Sequence, residues 1–142
     1  MTTSMIGSAQ EAASRDRRGH LARHGLTVLR LLLAIEFAGA GLMKLGGTET
    51  MVVLFDDIGA GQWFRYVVGT LELAGGVGLL VPRLTAAAAL GLTGLITGAL
   101  ITNAVLLGGV PIIEALFLAG TATLTYTGRA ELRSLAGRVR RG

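Results

Sequence analysis

The stretch LTAAAALGLTGLITGALITNAVLL, residues 84–107, contains no ionisable side chain, and its reading decides the fold. As an α-helix rising 1.5 Å per residue it is long enough to cross a hydrocarbon core of about 30 Å. Pro82-Arg83 precedes it and Gly108-Gly109 follows it, so a tight turn is expected at each end. Beyond those turns lie two further apolar stretches, Trp63 to Val81 and Val110 to Thr127, and a fourth runs from Leu26 to Leu45. Short connections place neighbouring helices antiparallel. The sequence therefore predicts an all-α integral membrane protein, a four-transmembrane-helix antiparallel bundle. The first connection, Gly46 to Gln62, is longer, and Met51 to Asp57 within it has the pattern of a short helix lying on the membrane surface.

Composition agrees. Of 142 residues, 51% are hydrophobic and 15% charged, and the 22 glycines suit close helix packing in lipid. One domain fits this length: a membrane domain over 26–128, a mobile basic N-terminal tail over 1–25 and a basic C-terminal tail over 129–142. With four spans, all of the 13 Lys and Arg residues except Lys44 and Arg65 fall on one side. The positive-inside rule makes that side cytoplasmic, which puts both termini in the cytoplasm and the protein in the inner or plasma membrane. The arginines flank spans, so their expected partner is membrane lipid and not nucleic acid.

The chain has no cysteine, which excludes disulfide and thiol chemistry and cysteine-ligated clusters. Its two histidines, His20 and His24, precede the first span and are read as solvated. No metal site is expected.

Three glutamates, Glu36, Glu72 and Glu114, interrupt the apolar stretches. A charge at the centre of a bilayer costs about 2.5–3.5 kcal/mol on insertion scales, so each needs a partner or a function. Glu36, Ala40 and Lys44 recur at helical spacing on one face, as do Gly69, Glu72 and Gly76 on the second span. Gly91, Gly94, Gly98 and Thr102 mark the third, and Glu114, Leu118, Thr121 and Thr125 the fourth. Gly69, Gly76, Gly94 and Gly98 are the expected helix-packing positions. Lys44 and Glu114 both lie toward the outer ends of their spans and form the expected structural ion pair, with Lys44–Glu72 as the competing pairing.

These residues resemble the DoxX-like family of small four-helix membrane proteins over about Leu29 to Gly128. The resemblance is carried by Gly41-Leu42-Met43-Lys44-Leu45, by Gly69-Thr70-Leu71-Glu72-Leu73-Ala74-Gly75-Gly76, and by Gly78-Leu79-Leu80-Val81-Pro82-Arg83. Members include a small subunit associated with a quinol oxidase and a subunit of a thiosulfate:quinone oxidoreductase. The resemblance thus implies a membrane subunit or accessory of a quinone-linked oxidoreductase or redox-homeostasis system, with quinone as ligand and a soluble or membrane redox partner. Lys44 and Glu72 match the family's polar positions; Glu36 and Glu114 are less clearly family features.

The residues themselves leave two other readings open. A protonated Glu36 or Glu72, with Lys44, could act as general acid on a lipophilic small molecule, giving an isomerase or cyclase that needs no cofactor. Alternatively, Lys44 and the glutamates only fix helix register, and the chain is a structural subunit.

Overall fold

Stretches rich in Ala, Leu and Gly, with no proline inside them, become the long helices of the molecule. The computed structural model describes residues 2–139, and no strand occurs among them. The order is α1 (Thr2–Leu45), α2 (Glu49–Ile58), α3 (Gln62–Leu80), α4 (Thr85–Thr102), a π-helical turn (Asn103–Leu107), α5 (Ile112–Thr127) and α6 (Arg129–Val139).

Local chemistry sets the ends. Gly59 closes α2 in the left-handed region at φ 75°, where a side chain would be strained. Gly108 does the same after the π-helical turn at φ 62°. Pro82 stops α3, and Val81 N–H bonds back to the Gly78 carbonyl at 3.2 Å. The surface helix expected within the first connection is α2, longer by a residue or two at each end. Residues 2–25, expected as a tail, are helical and form one helix with the apolar stretch that follows. Positions 140–142 of the basic C-terminal tail lie outside the described residues.

α1 and α3 make the closest contact. A Cβ built on Gly41 would lie 2.7 Å from the Gly69 carbonyl oxygen and 2.8 Å from Leu73 N, so the two backbones nearly touch. One built on Gly76 would lie 2.8 Å from Ala38 N. Further round, Gly75 meets Leu92, Gly78 meets Ala88, Glu114 meets Asn103, and Phe117 meets Phe37. In each of these pairings one helix's numbering rises as its partner's falls. α1, α3, α4 and α5 thus form an antiparallel ring. Leu33, Ala34, Phe37, Leu79, Ala89, Leu92, Ile96 and Leu124 fill its centre and the end near α6.

The two threonines of the expected polar stripe in the fourth span are satisfied within their own helix. Thr121 is fully buried, its hydroxyl donating to the Phe117 carbonyl at 3.0 Å, and Thr125 donates to the Thr121 carbonyl at 2.9 Å. Outside the ring the surface is apolar: Leu32, Ile35, Leu90, Ile101 and Leu116 are all exposed. Among the described residues, two helices are long and apolar enough to cross a membrane, Gly19–Leu45 and Thr85–Leu107. Ile112–Thr127 is apolar but shorter, and α3 carries Arg65 and Glu72 within its 19 residues.

The glycine contact makes a test. Gly41→Ala should force α1 from α3 and lower stability by about 1–3 kcal/mol, the usual cost of overpacking. Gly98→Ala, where an added Cβ meets nothing within 4 Å, should be neutral or stabilising. Thermal unfolding of both variants in detergent measures the difference; equal midpoints would remove the close contact from the account.

Candidate functional site

At the α2 end the ring is not filled, and a cavity of about 460 Å³ opens between the helices. Glu36, Lys44, Glu72, Asn103 and Glu114 all line it. Apolar side chains make up most of the remaining wall, including Leu54, Phe55 and Ile58 from α2, which covers the mouth.

The closest polar pair is Lys44 with Glu72. Lys44 Nζ lies 2.8 Å from Glu72 Oε2 and donates to Oε1 at 3.1 Å. Both side chains are largely buried, at 13% and 9% exposed. The Gly41–Gly69 approach makes this possible, since Lys44 lies one turn beyond Gly41 and its Cβ would be 2.9 Å from a Cβ on Gly69. At such separation the short path from α1 to α3 lets the ammonium reach the carboxylate.

The pairing corrects the expected Lys44–Glu114 bridge. Glu114 instead accepts a hydrogen bond from Asn103 Nδ2 at 2.7 Å. It also sits in the first turn of α5, where the helix dipole favours an acidic group. Lys44 is held against α3 and is thereby committed to Glu72. Glu36 is different again. It faces the cavity, is exposed, and has no hydrogen-bond or ion-pair partner among the described residues. Arg30, the cation nearest to it in sequence, makes no bridge to it, and Arg30 Nε is buried without a partner.

The packing glycines divide into two groups. Gly69 and Gly76 lie in the α1–α3 contact as expected. Gly94 and Gly98 do not pack against another helix, since a Cβ at either would meet nothing within 4 Å. They line the cavity instead, and the missing side chains leave it room.

Two residues of the site were not anticipated. Asn103 carries no charge, so the cost of burying a charge does not single it out; a lone amide in an apolar helix is the available signal. Arg65 was read only as a topology marker. It is 4% exposed, donates to the Lys44 carbonyl and, through Nε, to Gln62 Oε1 at 2.7 Å. Its charge therefore sits at the C-terminus of α1, where the dipole favours a cation. Gln62 in turn donates to the Val52 carbonyl at 2.9 Å and to Asp56 Oδ1 at 2.7 Å, tying α2 over the cavity. No group of three His, Asp or Glu among the described residues could hold a metal ion. His24 Nδ1 lies 2.8 Å from the His20 carbonyl oxygen.

Compared with known proteins, residues 28–124 match the family model described as the DoxX-like family. No curated protein matches, and no solved structure does.

Removing one member of the buried pair leaves the other charge uncompensated. Lys44→Met should destabilise the protein by about 3 kcal/mol or more, and the double variant Lys44→Met/Glu72→Leu should recover much of that. Glu114→Gln should not alter the effect of Lys44→Met. Denaturant unfolding in detergent distinguishes these; coupling of Lys44 to Glu114 and not to Glu72 would reverse the assignment.

Proposed function

The chain belongs to the DoxX-like family, and from that premise we propose a four-span membrane protein whose cavity holds a lipophilic small molecule by its polar head. α1, α3, α4 and α5 are the spans, both termini are cytoplasmic, and α2 lies at the opposite surface. One observation supports this reading above others: Lys44 and all three intramembrane glutamates line a single, mostly apolar cavity. Pockets that bind such molecules are mainly apolar with a few converging polar groups. Fixing helix register would account for Lys44–Glu72 and for Asn103–Glu114, but it does not account for Glu36.

On the redox reading the chain is a membrane subunit or accessory of a quinone-linked system, and the molecule is a quinone. The wall residues fit a carbonyl head group. A lysine ammonium has three N–H donors, so Lys44 can hold Glu72 and still donate to a ligand oxygen. A quinone would supply two-electron chemistry there, and any flavin or metal would come from a redox partner. A second reading is favoured by the unpartnered Glu36: an acid–base enzyme without a cofactor, with Glu36 and Glu72 exchanging protons with the ligand and Lys44 positioning Glu72.

Two experiments address the proposal. Gly98→Leu should fill the cavity while leaving the α1–α3 contact intact. Lipophilic molecules that co-purify with the wild-type protein, read by mass spectrometry, should then be lost; identical retention would defeat the pocket reading. For topology, the natural absence of cysteine allows single-site labelling. Ser134→Cys should react with an impermeant maleimide only from the cytoplasmic side, and Asp57→Cys only from the other. Labelling of both from one face would exclude four spans.

A further inference from the structure

The chain contains 4 phenylalanines, and all of them line this one cavity. Phe37 and Phe117 form one pair with ring centroids 5.7 Å apart, and Phe55 and Phe64 another at 5.8 Å. Trp63, Tyr66 and Tyr126, the other aromatic residues, are exposed and none of them lines the cavity. The aromatic content is 5%, so this concentration is specific to the site.

Charge in the cavity is equally one-sided. Three carboxyl groups line it against one ammonium, and Lys44 is the only Lys, Arg or His on its wall. Glu72 takes up the charge of Lys44 through both carboxylate oxygens. Glu114 is held by the Asn103 amide and the start of α5. That leaves Glu36, without a partner, next in sequence to Phe37, whose ring packs on Phe117. A free carboxyl on a mostly apolar wall that also carries aromatic rings is the chemistry that recognises an alkylammonium group: the rings attract the cation through their quadrupoles, and the carboxylate neutralises it.

We infer that the cavity binds a lipophilic cation, an amphiphile whose head is a tertiary or quaternary ammonium, with Glu36 as its counter-ion, Phe37 and Phe117 as the rings beside the head, and Phe55 and Phe64 further along the cavity. This rests on the pocket reading above and narrows it to one ligand class. The alkyl chain lies along the apolar wall, and the ammonium sits at the level of Glu36. Glu36 is a binding residue in this account, while Lys44 keeps Glu72 from competing for the ligand.

The test uses the full chain in nanodiscs of zwitterionic lipid, with empty discs as the background. Three probes are titrated: dodecyltrimethylammonium, its neutral carbon isostere ending in a tert-butyl group, and a decyl-chain quinone. The cation should bind about tenfold or more tighter than the isostere, a margin within reach of one desolvated cation–aromatic and ion-pair contact. Glu36→Gln should bring the cation down to the level of the isostere and leave the isostere unchanged, while Glu36→Asp should keep most of the preference. Circular dichroism and size-exclusion chromatography check that both variants fold. Equal binding of cation and isostere, or tighter binding of the quinone, overturns the cation assignment while preserving the pocket. If no probe binds above empty discs, the pocket reading itself fails and the cation assignment fails with it.

Discussion

The near-contact of two backbones, α1 at Gly41 and α3 at Gly69, is the constraint on which the rest of this molecule depends. It brings Lys44 within reach of Glu72, and with that pair made both charges can be buried. It also sets Arg65 against the end of α1, and Arg65 with Gln62 fixes where α2 lies. A single side chain larger than hydrogen at either glycine would separate these helices and loosen each of those contacts together. The apolar core near α6 uses ordinary side-chain packing and tolerates more.

The architecture was legible because it depends on patterns that survive in one sequence. Long, mostly apolar stretches, prolines at their ends and glycine pairs between them locate α3, α4 and α5 to within a few residues. The surface helix α2 was readable from its mixed apolar and acidic residues. The start of α1 was not, since an Arg- and Ser-rich segment without proline suits both a tail and a helix extension.

The site was legible only in its membership. Glu36, Lys44, Glu72 and Glu114 could each be named from their cost in an apolar helix, but their pairing could not. Lys44 and Glu114 lie at similar depth, and depth is all that periodicity gives. Which of two carboxylates a lysine reaches depends on how close two helices approach, and here Gly41 and Gly69 decide it. Gly94 and Gly98 carry a matching lesson. The same small residue that lets helices touch at one place leaves empty space at another. The phenylalanines were passed over because aromatic residues in apolar helices are ordinary; only their gathering round one cavity gives them meaning.

The buried pair also bears on how the chain enters a bilayer. If α3 crosses the bilayer as proposed, it is on its own a poor passenger, since it brings Arg65 and Glu72 with nothing to neutralise them. α1 carries the remedy for both: Lys44 for Glu72, and the carbonyl at its own end for Arg65. On the proposed topology the two helices are stable in lipid only as a pair, with α2 as the loop between them. The contact that shapes the finished site would then already be required at the moment of insertion.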